Sequence, residues 1–101
     1  MLFKVIYANE VFDDLQKAID YYNSRKKGLG SRFYKTVKIQ ISEIQSNGLG
    51  YQIRYKTVRC APLKTFPYTI YYSIHQDTKT IMVIALFCDY RDPKIWKFRL
   101  K

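Results

Sequence analysis

The side chains able to do chemistry are unevenly stocked in this 101-residue chain: one histidine, two cysteines and ten tyrosines stand against eighteen lysines and arginines. Cys60 and Cys88 lie inside apolar segments. With the lone His75 they fall short of the four nitrogen and sulfur ligands that a structural zinc takes. No metal and no cofactor is therefore expected. His75 comes just before turn residues, which suits a surface position better than a general base. Tyr68, Tyr71 and Tyr72 fall on both faces of one extended segment, so some of these phenols must be core.

The cations are the larger signal. Eighteen Lys and Arg against eight Asp and Glu give a formal net charge of +10. The second half, residues 51–101, holds most of that excess. A field of this sign favours anionic partners, among them nucleic acid, a ribosome or an acidic protein. The run Arg25-Lys26-Lys27 could touch phosphate, although the end of a helix explains it equally well. The longest apolar run, Ile81 to Cys88, is too short to cross a bilayer, and no membrane partner is expected. The first eight residues show no apolar signal core, so a cytoplasmic location is expected.

The elements that must position these groups follow from periodicity. Leu2 to Tyr7 is β-branched and aromatic and predicts a strand. Asn9 is a suitable N-cap, and apolar residues recur at Val11, Phe12, Leu15, Ala18, Ile19 and Tyr22 with helical spacing. Gly28 predicts the stop. Phe33, Val37, Ile41 and Ile44 give a second stripe ending at Asn47-Gly48. The period then changes: Tyr55 to Ala61, Phe66 to His75 and Thr80 to Phe87 read as strands, with Tyr68, Ile70, Tyr72 and Ile74 on one face. The order β-α-α-β-β-β predicts one α+β domain over residues 1–101, a helical hairpin packed on an antiparallel sheet of order 1-4-3-2. Leu15, Ile19, Phe33, Val37 and Ile41 should face Ile70, Ile84 and Leu86.

Two segments carry a family resemblance. Phe66-Pro67-Tyr68-Thr69-Ile70-Tyr71-Tyr72 and Asp89-Tyr90-Arg91-Asp92-Pro93-Lys94-Ile95-Trp96, with the helical stretch from Asp14-Leu15 to Tyr21-Tyr22, the Phe33 region and Val58-Arg59, resemble the RelE/ParE superfamily of type II toxin–antitoxin toxins. The likeness covers nearly the whole chain. It implies a toxin neutralised by a cognate acidic antitoxin in a hetero-oligomer, and it implies one of two targets. RelE-like members cut messenger RNA on the ribosome, whereas ParE-like members poison DNA gyrase by a protein–protein contact.

Metal-free RNA cleavage needs a base for the 2′-hydroxyl, cations for the phosphorane and an acid for the leaving oxygen. By the resemblance, Lys56, Arg59 and Arg91 match positions that supply basic groups, with Tyr90 as a stand-in proton donor. Two expected groups are missing. The strand dipeptide Tyr-Arg typical of the nucleases is Pro67-Tyr68 here, and Trp96 stands nearest the place of a tail tyrosine. An indole has no proton to titrate. The resemblance is therefore closer to the ParE-like branch, in which Arg91, Lys94, Trp96, Lys97 and Arg99 would form a target-binding tail. Each residue also has a plainer reading. Lys56 and Arg59 could be a solvated strand face, Arg91 could pair with Asp89 or Asp92, and Trp96 could be a lid on the core. A member that binds without being toxic is the third alternative.

Overall fold

The computed structural model describes residues 3–90. Along the chain run β1 (Lys4–Tyr7), α1 (Asn9–Arg25), α2 (Leu29–Asn47), a 3-10 turn (Gly48–Gly50), β2 (Ile53–Tyr55), β3 (Val58–Pro62), β4 (Tyr68–His75) and β5 (Thr80–Cys88). The first junction is set by the sheet. Ala8 donates its amide to the Val83 carbonyl at 2.9 Å, which keeps Ala8 extended and makes it the cap residue. Asn9 is thus the first helical residue and not the expected N-cap, and no side chain caps this helix.

The helices are joined by three residues, Lys26, Lys27 and Gly28, the last of which takes φ 84°. A side chain there would be strained, and glycine is not. Gly30 serves differently. A Cβ at this position would lie 2.6 Å from the Ile19 carbonyl oxygen, and the Gly30 amide donates to Asn23 Oδ1 at 2.9 Å. The two helices therefore touch backbone to side chain at their shared end.

Both helices lie on one face of a five-stranded sheet of order β1-β5-β4-β3-β2. This is the expected two-layer α+β architecture, and the expected sequence of neighbours holds with one strand added at the edge. The direction of β1 differs from expectation: it pairs with β5 in parallel, Lys4 opposite Thr80 through Tyr7 opposite Val83. The cause is the added strand. The stretch read as one strand is a tight hairpin, Ile53–Tyr55 against Val58–Pro62, turned at Lys56 with φ 53°. One more reversal inverts the direction of every later strand, so the sheet is mixed.

A bulge makes the other departure. Tyr71 faces Ala85 and Tyr72 faces Val83, so Ile84 is an extra residue on β5. It flips Ile84 to the face away from the helices, where it joins Val58, Tyr71, Ala85 and Phe87. The rest of the expected core stands. Tyr68, Ile70, Tyr72 and Ile74 share the helix-side face, against Phe33, Val37 and Ile44 with Leu15, Ile19 and Ile41 packed around them.

An aromatic cluster fixes the hairpin end to the sheet. Phe33, fully buried, has ring centroids 5.2 Å from Tyr22, 5.1 Å from Phe66 and 5.0 Å from Tyr68. Such pairs add about 0.5–1.5 kcal/mol each beyond their burial. The Phe66-Pro67-Tyr68 run is thus a packing motif. Phe33→Ala should cost about 3–5 kcal/mol in urea denaturation, a large share of a small domain's stability.

Burial, and then the neighbouring Tyr68, push the Tyr22 phenol up from 10.0 to about 12. Its contribution to stability is fully present below pH 10 and is lost as pH rises through about 12, because the unfolded chain ionises first. Melting temperature should hold from neutral pH to about 9 and fall beyond it. Tyr22→Phe, which cannot ionise, should fall less steeply over the same range.

Candidate functional site

Arg59 is half-buried and committed. Its cross-strand partner is Tyr72, whose side chain lies in the helix-side core, so Arg59 points to the same side of the sheet. There its Nη1 donates to the Tyr51 carbonyl at 2.6 Å and to the Leu49 carbonyl at 3.3 Å. Tyr72 donates its hydroxyl to the Gly48 carbonyl at 2.6 Å, and Tyr51 is held by Gln40 at 2.9 Å and donates to Glu43 at 3.2 Å. These bonds tie the chain between α2 and β2 to the sheet. Burial raises the Tyr72 phenol, with Arg59 pulling the other way, so it stays a neutral donor.

Lys56 is exposed at the β2–β3 turn, with its Nζ 5.4 Å from the Tyr55 ring centroid. Tyr90 is 87% exposed beyond the end of β5. The sheet register keeps these two apart. Arg59 pairs with Tyr72, so the Lys56 turn lies beyond Tyr72 toward His75, whereas Cys88 pairs with Tyr68 and Tyr90 lies beyond that opposite end. The four steps from Tyr68 to Tyr72 alone span ~13 Å. Lys56, Arg59 and Tyr90 therefore do not converge. Arg91, Lys94, Trp96, Lys97 and Arg99 lie outside the described residues.

Among the described residues, the sheet face away from the helices is mostly apolar. It is built from Val58, Cys60, Tyr71, Ala85 and Phe87, with Ser73 bonded to the exposed His75 at 3.4 Å. Burial raises the Tyr71 phenol, and Arg54 opposes that rise. Thr69 donates to Asp89 Oδ1 at 2.6 Å. Arg54 was not singled out by sequence reasoning. Its only signal there is a place in a short strand that the periodicity did not resolve.

A concave groove lies between α1, α2 and the start of the sheet. It encloses about 210 Å³ over a floor of Val37, Ile70, Val83 and Leu86, and Tyr7, Phe12, Tyr34 and Lys38 form its rim. Three of these are exposed aromatics, Phe12 most of all at 58%. The Tyr7 and Phe12 rings meet in a tilted pair with centroids 5.9 Å apart, and burial followed by Tyr34 raises the Tyr7 phenol. Beside the groove runs β1, an edge strand whose one strand partner among the described residues is β5. The groove is thus an apolar trough with one lysine on its rim, lying next to a strand edge.

The sequence model for the ParE toxin of the type II toxin–antitoxin system parDE matches residues 5–93. The chain belongs to the ParE toxin family. It is accordingly the toxin of a toxin–antitoxin module. Comparison with curated protein sequences returns no match. Among solved structures, the chromosomal ParDE system from P. aeruginosa superposes with TM-score 0.75 at 14% identity, covering 86% of this chain and 96% of that one. Free E. coli RelE, in a mutant form, gives 0.71 at 12% identity over 99% and 96%. The E. coli RelBE toxin–antitoxin complex gives 0.66 at 13% identity over 88% and 99%. These likenesses show a shared fold.

Arg59→Ala should remove charge-assisted bonds to two carbonyls and cost about 2 kcal/mol in urea denaturation. Lys56→Ala should stay within about 0.5 kcal/mol of the parent.

Proposed function

We propose that this toxin arrests growth by binding a cellular protein, with DNA gyrase as the target, and that a cognate acidic antitoxin neutralises it by occupying the groove between α1, α2 and β1. The observation that carries the first part is the separation of Lys56, Arg59 and Tyr90. Cleavage of RNA without a metal needs its base, acid and cations around one phosphate. Here one cation is bonded to backbone carbonyls under the helices, and the other two groups sit at opposite ends of the sheet. A contact surface makes no such demand.

The groove supports the second part. Relatives of the same fold have been solved as toxin–antitoxin complexes. The rim of Tyr7, Phe12, Tyr34 and Lys38 suits an amphipathic acidic segment, with apolar side chains in the trough and carboxylates at Lys38. Apolar burial would then supply most of the affinity, with charge adding rate and register.

Inducible expression with separate pulse labelling of DNA and protein tests the target. DNA synthesis should fall first, with filamentation, and purified toxin should inhibit gyrase supercoiling without cutting RNA in a translating extract. Early loss of translation with cleaved messenger would overturn this reading in favour of the ribosome-dependent nuclease. Phe12→Ala with Tyr34→Ala should weaken antitoxin binding by roughly 10- to 100-fold in calorimetry, since buried aromatic anchors dominate such contacts. Binding of the parent pair should weaken only modestly up to about half-molar salt, because apolar burial is not screened.

A further inference from the structure

Between Asp20 and Glu43 the chain contains no acidic residue and six basic ones: Arg25, Lys26, Lys27, Arg32, Lys35 and Lys38. All six are exposed, and none meets a carboxylate at ion-pair distance among the described residues. The hairpin brings them to one end and one face of the helical layer. On α2 the buried positions are Gly30, Phe33, Val37, Gln40 and Ile44, which places Lys35 directly opposite the core, with Arg32 and Lys38 one turn to either side. Steps of three residues are ~4.5 Å along the axis, so these cations form a continuous ridge.

Helix stability does not account for this arrangement. Arg25 in the last turn of α1 suits the helix dipole. Arg32 does the opposite, since it stands in the first turn of α2, where there is no acidic residue and negative charge would be favoured. Lys26 and Lys27 add like charge beside it. The fold tolerates a repulsive cluster that it could have relieved with one carboxylate. Two of the cations are also laid over exposed aromatic rings: Arg25 lies 5.8 Å from the Tyr21 centroid, and Lys38 5.5 Å from that of Tyr34.

We propose that this ridge binds the phosphate backbone of single-stranded nucleic acid, with Tyr21 and Tyr34 as stacking faces at its margins. A row of mobile cations interleaved with exposed rings is how sequence-tolerant binders hold a strand. Alternating signs would be expected for a mixed protein contact, and the ridge has one sign only. The site is separate from the antitoxin groove except at the shared rim of Lys38 and Tyr34, and it does not depend on which target the toxin poisons.

Fluorescence anisotropy with a labelled single-stranded RNA tests it. Affinity should fall with salt with a log–log slope of about −4, the value for six phosphates on a single strand. The variant Lys27→Gln, Arg32→Gln, Lys35→Gln leaves Lys38 and the groove intact. It should flatten that slope by about 2 and weaken binding at least 10-fold at low salt. The matched control Lys4→Gln, Lys17→Gln, Lys64→Gln removes the same charge elsewhere and should change binding less than about 3-fold. RNA should also protect Lys27 and Lys35 of the parent protein from acetylation, which reads the site without any substitution. Equal losses in the two variants, or no protection, would overturn the proposal and leave only the effect of net charge. Poly-glutamate that binds the ridge as tightly and with the same slope would overturn it in favour of an acidic protein partner.

Discussion

Phe33 against Tyr22, Phe66 and Tyr68 is the contact on which the rest of this small domain depends. A two-helix hairpin has no fold of its own until its apolar stripe is covered, and a sheet of this size needs a helical layer to bury one face. The four rings meet where the hairpin turns and where β4 begins, so they fix the angle of both helices over the sheet at once. That angle opens the groove at the β1 side. Gly30 permits it by letting α2 approach Ile19 and Asn23 more closely than any side chain would allow.

The sequence was most legible where one periodicity ran uninterrupted. The even-numbered residues from Tyr68 to Ile74 face the helices as their alternation implies, and α2 ends where Asn47-Gly48 mark, whereas α1 stops at Arg25 and Gly28 caps the start of α2. Legibility failed where a single residue breaks a period. Lys56 turns the chain without glycine or asparagine, so the β2–β3 hairpin carried no turn signal and β1 was assigned the wrong direction. Ile84 sits in a run apolar on both faces, where an inserted residue leaves no trace in composition. Arg59 has the type and place of a catalytic cation, but its bonds to carbonyls eight and ten residues away arise from a loop path that no local pattern encodes. The groove was invisible for a similar reason: its rim joins β1, α1 and α2.

The distribution of polarity gives the molecule distinct surfaces. Acidic residues of α1, Glu10, Asp13, Asp14 and Asp20, moderate its charge, and Asp14 accepts the Leu86 amide at 3.2 Å just beyond the last residue that β1 covers. The outward face of α2 has no such moderation before Glu43. Six of the eighteen lysines and arginines thus gather along the helical hairpin, away from the sheet face where Ala85 and Phe87 are buried.

The parallel pairing of β1 with β5 also dictates an order of assembly. Lys4 to Tyr7 can join the sheet only after Thr80 to Val83 exist, and the Ala8 amide waits for the Val83 carbonyl. During synthesis the first strand is finished roughly 75 residues before its partner, and at ~5–20 residues per second that interval is several seconds. Throughout it the apolar stripes of both helices have no β5 to cover them. Such long-range closure makes folding slow relative to helical proteins. A chain of this design is therefore born as an unfinished, sticky hairpin, and its groove comes into being last.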